Sequence, residues 1–230
     1  MWDRVDDEAV KLRTRYLFLT MTRKELEFPH EPEDIIHWIE LSDETKLLYN
    51  KLLKDKVLQM SDWILECDTK TKLRYALHML EGGTAKYSWP ELNSKGNPIM
   101  KSMHFDLDND EKVDYIKEHW GDKDTVAIMY HYIAEGIKLN LCFKHAHILQ
   151  ATTNAEGIDL SHIEHLIIYS QDFSTAKHTQ RRARQANKSR DSEIKVHFLL
   201  VKGAISEEVY KTVSVNKQNY VDVYFMQNAL

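Results

Sequence analysis

Cysteine is scarce in this sequence: the 230 residues include only Cys67 and Cys142, far apart and with no CxxC pair. They offer no partner set for zinc, and such sparse cysteine use suits a reducing compartment. Long apolar runs are also missing. The longest, VAIMYHYIA and VHFLLV, fall well short of the ~18 to 20 residues needed to cross a bilayer. No charged-then-apolar leader opens the chain, so neither membrane spanning nor secretion is expected, and an intracellular location is. There is no internal repeat, heptad series or low-complexity tract, which sets aside solenoids and coiled coils. What is present is ordinary. With 43% hydrophobic and 29% charged residues, 7 Gly and 4 Pro, the chain belongs with soluble globular proteins rather than disordered or fibrous ones. Its length suffices for one large domain or two small ones, with a packed core.

A formal net charge of -5 argues against a general nucleic-acid coat protein, but binding depends on where the positive charge sits. One stretch concentrates it. KHTQRRARQANKSR contains Lys177, Arg181, Arg182, Arg184, Lys188 and Arg190 and no acid. Taken alone, that run is either a solvated face or an anion-binding one.

The chain reads as alternating elements. EDIIHWIEL alternates like a strand, and Ser42 followed by Asp43 and Glu44 makes a helix start. Tyr49, Leu52, Leu53, Val57 and Met60 continue as a helical stripe. Gly, Pro, Asn and Ser gather between Gly82 and Met103, which marks a loop and an internal boundary. The expected organisation is a mostly helical extension over residues 1–81, a loop over 82–103 and a lobe over 104–230. In that lobe, a helix at EKVDYIKEHW precedes a strand at TVAIMYHY, a helix from Ala134 to Phe143, and strands at HILQAT, HLIIYS and KVHFLLV. Buried-type strands separated by helices predict an α/β fold, a parallel sheet with helices on both faces. Ligands in such sheets sit beyond the carboxyl ends of the strands, here in the loops after Thr152 and Ser170.

Both loops carry chemistry. TNAEGIDLS holds Glu156, Gly157 and Asp159. A glycine just past a strand lets backbone approach a ligand, and a nearby acid can accept from a ribose hydroxyl or position a metal-bound water. The same residues also suit a turn glycine with an acidic helix cap. In QDFSTAKHTQRRAR, Gln180 and Arg184 lie four apart, on one face of a helix, and Arg181 lies one turn before Arg184. Arginines so placed can stabilise charge in phosphoryl transfer.

Their order and distance resemble a known family. ATTNAEGIDLSHIEHLIIYSQDFSTAKHTQRRARQ is similar to motifs V and VI of superfamily-two helicases, in the Swi/Snf-like branch with its phage and viral relatives. The first motif there has the form (A/G)-E-G-(I/L)-(D/N)-L and the second Q-x-x-G-R-x-x-R; Gln180 and Arg184 match the second, with Ala183 in the glycine place. KVHFLLVKGAISEEVYKTVSVNK resembles the family's last strand and brace helix, through Gly203, Ala204, Ile205, Glu207, Glu208 and Lys217. VAIMYHYIAE is similar to motif IV, DNDEKVDYIKEHW to the helix before it with its lysine at Lys112, and RYLFLTMTRKELEFPHEPEDIIHWIELSDETKLLYNKLL to the linker into the second lobe.

The resemblance implies a RecA-like, three-layer second lobe of an ATP-dependent DNA helicase or translocase, working with an N-terminal RecA-like lobe in cis or in trans. It implies ATP with Mg2+ as cofactor, in the host cytoplasm if the protein is viral. Arg184 and Gln180 would take the catalytic positions, and Glu156, Gly157 and Asp159 would contact the nucleotide. Thr152, Thr153, Lys177 and Arg182 would face the nucleic-acid backbone, with Arg181 beside the nucleotide or on that track. The last arginine of the second motif falls on Asn187, with Arg190 or Arg181 as substitutes. Only about fifteen residues separate the strands TVAIMYHY and HILQAT, enough for one helix, where the family has a further strand and helix. No GxxxxGK[ST] loop and no D-E-x-D/H acid pair occurs, so the groups that hold ATP phosphates and magnesium would come from the other lobe. The alternative reading is a non-catalytic lobe that binds nucleic acid or regulates a partner; a third is a structural domain whose basic helix docks an acidic protein.

Two further groups are read as structural. His145, His147, His162, His165 and His178 cluster in sequence with an HxxH pair at His162 and His165, but without an acid or cysteine at zinc-like spacing they read as surface or packing residues, and no metal is expected. Trp38, Trp63, Trp89 and Trp120 could stack on bases but read first as core anchors.

Overall fold

Ser42 shows how closely the local chemistry is followed. Its hydroxyl accepts from Thr45 N at 3.2 Å and starts helix α1 (Asp43–Asp55), which follows strand β1 (Asp34–Trp38). A computed structural model describes residues 34–60, 63–151, 162–175 and 195–226 of the chain. After α1 come β2 (Val57–Gln59), β3 (Ile64–Glu66) and α2 (Lys70–Glu81). A hairpin follows, made of β4 (Thr84–Leu92) and β5 (Pro98–Asp106). Then come α3 (Glu111–His119), β6 (Val126–Tyr130), α4 (Ile133–Cys142), β7 (His147–Gln150), β8 (His165–Ile168), β9 (Lys195–Leu200) and α5 (Ile205–Tyr210), α5 continuing as a wide π turn to Val215, and a second π segment spans Asp222–Met226.

Five strands form one sheet in the order β1-β9-β8-β6-β7, every pair parallel. The apolar central strand β6 explains it. Val126, Ala127, Ile128 and Met129 are all buried, as only a strand covered on both faces requires. Val126, Ile128, Ile167 and Leu199 pack on one face with Val113, Ile116 and Trp120 of α3 and its end and with Leu139 of α4. Ala127, Met129, Leu166, Ile168, Val196 and Phe198 pack on the other, against Ile163 and Tyr210. A third core joins Leu52, Leu58, Leu77 and Leu80 to Phe173, Ile205, Val209 and Tyr220, tying the first helices to the end of the chain.

Two expectations change. The helical stripe does not run on to Met60: Lys56 takes the left-handed conformation (φ 60°) and closes α1 by donating to Leu52 O at 2.9 Å, and Val57 and Leu58 enter β2. The loop expected over 82–103 is a β-hairpin in register from Thr84↔Asp106 to Leu92↔Pro98. Asn93, Ser94, Gly96 and Asn97 form its turn, where Asn93 Oδ1 accepts from Lys95 N at 2.9 Å and from Asn97 N at 3.0 Å. Most of the hairpin is exposed, which removes the apolar alternation that would have marked its strands.

Candidate functional site at the carboxyl edge of the sheet

Because all five strands are parallel, their carboxyl ends gather at one edge. Ala151 N donates to Tyr130 O at 2.8 Å, and Tyr169 N donates to Met129 O at 2.9 Å. The chain therefore leaves β7 and β8 on either side of the end of β6. Residues Thr152, Thr153, Glu156, Gly157, Asp159, Lys177, Gln180, Arg181, Arg182 and Arg184 follow from those exits in sequence and lie outside the described residues. Their anchors are described.

The anchors are held by a buried polar knot centred on Glu135, in the first turn of α4. Its Oε2 accepts from Tyr132 N at 3.1 Å, from His131 N at 3.2 Å, and from the Ser170 hydroxyl in a very short hydrogen bond. Ser170 Oγ in turn accepts from His131 N at 2.8 Å. One carboxylate thus locks the turn after β6 to the turn after β8. Lys112 reaches the same place from α3, donating from Nζ to Tyr169 O at 2.7 Å, and the Tyr169 hydroxyl donates to Gly82 O at 2.8 Å. Asp172 Oδ2 stands 3.6 Å from His131 Nδ1, and its Oδ1 accepts from Ser174 N at 2.8 Å.

Burial dominates the electrostatics. Glu135 is fully buried, and desolvation pushes its carboxyl up to about 7 against the pull of the Ser170 hydroxyl, Lys112 and two backbone N–H groups. The same burial lowers the Lys112 ammonium, opposed by Glu81 and Glu135, and holds His78 well below its usual range. Glu81 is raised by burial, and its Oε1 accepts from Ile205 N at 2.8 Å, capping α5. Glu135 Oε1 and His78 Nε2 have no hydrogen-bond partner among the described residues.

A cleft of about 780 Å3 opens beside the knot, lined by His131 and Tyr132 after β6, Tyr75 of α2, Cys67, and Tyr87 and Trp89 of the hairpin. The Tyr87 and Trp89 rings stack with centroids 5.5 Å apart. Among the described tryptophans, Trp120 is buried in the core; Trp63 is partly buried against the third core and stacks on Phe105 at 4.5 Å, Trp89 lines the cleft and Trp38 is exposed. Cys67 is buried and its thiol is pushed up to about 11 by desolvation, which disfavours the nucleophilic thiolate.

The segment after β9 is held by its own contacts. Gly203 has φ +74°, Glu207 Oε2 accepts from Gly203 N at 2.6 Å, and Glu208 Oε1 meets Arg74 Nη1 at 2.5 Å and the Tyr220 hydroxyl at 2.9 Å. Lys217 is exposed. The histidines separate into two sets: His147 pairs with His162, and His165 joins His197 and His37 in a chain of 2.9 Å contacts that ends at the Tyr115 hydroxyl. His145 is exposed, and His178 lies outside the described residues. Among the described residues no three His, Cys, Asp or Glu side chains converge to hold a metal ion. No described helix is long and apolar enough to cross a membrane.

Reasoning from sequence missed Glu135, His131, Asp172 and the cleft. A glutamate three residues after Tyr132 at a strand-to-helix junction is a capping signature and was the one available signal for Glu135. The others come together only through long-range pairing.

No protein-family profile and no curated protein sequence matches the chain. Among solved structures, it is similar to the one titled "Crystal structure of the C-terminal part of Fun30 ATPase domain", with a TM-score of 0.53 at 14% identity over 80% of this chain and 89% of that one. At that identity the likeness is one of fold, and the fold is a RecA-like α/β lobe with a parallel five-stranded sheet and flanking helices.

Proposed function

We propose that the chain is the second RecA-like lobe of a Swi/Snf-like superfamily-two DNA helicase or translocase, of phage or viral type, completing an interlobe ATP site with a partner lobe. The observation that carries this reading is the coincidence of motif order with topology. The segment with Glu156, Gly157 and Asp159 follows directly on the end of β7, and the one with Gln180 and Arg184 follows the exit of β8, at the edge where parallel sheets bind ligands. The similar solved structure belongs to the C-terminal part of an ATPase domain, which supports the same assignment.

In this reading Arg184 reaches the ATP phosphates and Gln180 orients its helix, while Glu156, Gly157, Asp159 and Arg181 link nucleotide state to the position of the lobe. Thr152, Thr153, Lys177 and Arg182 contact the nucleic-acid backbone. Bound ATP with Mg2+ supplies the phosphoryl group and its counter-charge, both held mainly by the partner lobe. Glu135 and Ser170 keep the two turns in register, so a shift in one is felt by the other.

The test is DNA-stimulated ATP hydrolysis by this chain joined or mixed with a lobe carrying GxxxxGK[ST] and the acid pair. Hydrolysis is expected only when both are present, and Arg184→Ala is expected to lower turnover by about 10³ to 10⁵. Wild-type turnover in that variant would remove the role. Asn187 in the second arginine position favours one rival, a lobe that binds nucleic acid or regulates without hydrolysis. That rival predicts salt-sensitive DNA binding that ATP and the partner lobe leave unchanged.

A further inference from the structure

The pairing of His147 with His162 joins two residues 15 positions apart, with their Nε2 atoms 3.2 Å from each other. His147 opens β7 and His162 lies three residues before β8, so the pair sits near the amino edge of the sheet, away from the carboxyl-edge site. The contact is a hydrogen bond by distance and angle, and two Nε2 atoms at this spacing span a range of geometries with two limits, a bent N–H···N bond lying between them. In a head-on N–H···N hydrogen bond the rings line up, and their centroids stand about 5.5 Å apart at this N···N distance. If both lone pairs aim at one ion ~2.0 to 2.1 Å from each nitrogen, at close to the tetrahedral angle, the centroids close to about 5.0 Å. The observed separation is 5.0 Å, with the ring planes at 68°.

We propose that His147 and His162 form a two-imidazole site for a borderline divalent transition metal, Zn2+ in the first place, with Ni2+ and Cu2+ as its chemical neighbours. Neutral imidazole is the ligand type these ions share, and the N···N spacing is that of adjacent ligands in a four-coordinate shell. No third His, Cys, Asp or Glu converges on the pair among the described residues, and the proposal assigns only these two protein ligands. The site lies at the surface, where His162 is exposed and the ion can come and go. Metal in this position fastens the start of β7 to the approach to β8, and the intervening sequence contains Glu156, Gly157 and Asp159. Such a clip closes a loop in the folded state and so opposes unfolding. The inference does not depend on the proposed ATPase role.

The experiment is calorimetric titration of the metal-free full chain with Zn2+, together with thermal melting at each metal ratio. Saturable binding of one equivalent and a rise in Tm are expected. His147→Gln and His162→Gln should each abolish both effects while leaving the metal-free melting curve and circular dichroism unchanged, since neither ring belongs to the core. The proposal is overturned if the wild-type chain shows no saturable binding, or if both variants bind Zn2+ as it does. Binding lost in both variants without any Zn2+-dependent rise in the wild-type Tm would overturn the clip and leave a surface ligand pair.

Discussion

Gly82 ends α2 against the side chain of Glu135, and a Cβ there would stand 2.5 Å from Oε1 and 3.2 Å from the Tyr169 ring. Neither neighbour can retreat easily, since Glu135 is held by three donors and Tyr169 by Gly82 O. Gly82→Ala should therefore destabilise by about 1 to 3 kcal/mol, seen as a lower urea midpoint at unchanged m. Glu135 also shapes the pH profile. Its folded pKa of about 7 lies above the ordinary 4.5, so the folded state holds the extra proton between these values and loses stability as pH rises through 7. His197 acts in the opposite sense. Burial, then the neighbouring His37 and His165, lowers it from 6.5 to about 3, so stability is lost as pH falls below 6.5. The two slopes oppose each other between about 4.5 and 6.5. Glu135→Gln keeps an acceptor for Ser170 and removes one slope, so its unfolding free energy should fall with acid more steeply than that of the wild type in this window, by up to about 1.4 kcal/mol per pH unit. Parallel curves for the two proteins would rule out titration of Glu135.

Elements differed in how plainly the sequence announced them. β6, β8 and β9 were legible because central parallel strands are buried on both faces and need predominantly apolar runs, and α3 and α4 because their stripes repeat. β2 and β3 are three residues each, too short for any period to register, and were absorbed into a helix or passed over. The hairpin was hidden because its strands are stabilised by each other rather than by a core. Contacts between helices far apart in sequence were not legible at all, and the Arg74 clamp is one. Arg74 links α2 to Glu208 of α5 and to the Tyr220 hydroxyl, and its guanidinium lies 4.4 Å from the Tyr224 ring centroid. Both charged side chains are a quarter to a third exposed, at 24% and 32%, so Arg74→Ala should cost about 1 to 2 kcal/mol rather than the full value of a buried pair. Arg74→Lys should recover only part of it, because an ammonium cannot reproduce the planar fork.

At the scale of the molecule, the sequence pointed to the loops after Thr152 and Ser170, and Ser170 lies at the hub of the polar knot. The rest of the knot could not be read because Lys112, Glu135 and Tyr169 approach one another only after the sheet has paired. The same long-range pairing decides how the chain can be divided. β1 comes from before the hairpin yet forms the sheet edge against β9, from Asp34↔Val196 to Trp38↔Leu200. Leu52, Leu77 and Leu80, also from before it, share a core with Ile205, Val209 and Tyr220. A break at the exposed hairpin turn therefore cuts no core contact, whereas removing everything before the turn strips β9 of one of its two neighbours and opens an apolar surface. Residues 1–94 and 95–230, produced together as two chains, should copurify and melt as one unit. Residues 95–230 produced alone should be insoluble or lack a cooperative transition. A soluble 95–230 fragment that melts cooperatively would mean that the part after the turn carries a sufficient core of its own and that β1, α1 and α2 are an appendage to it.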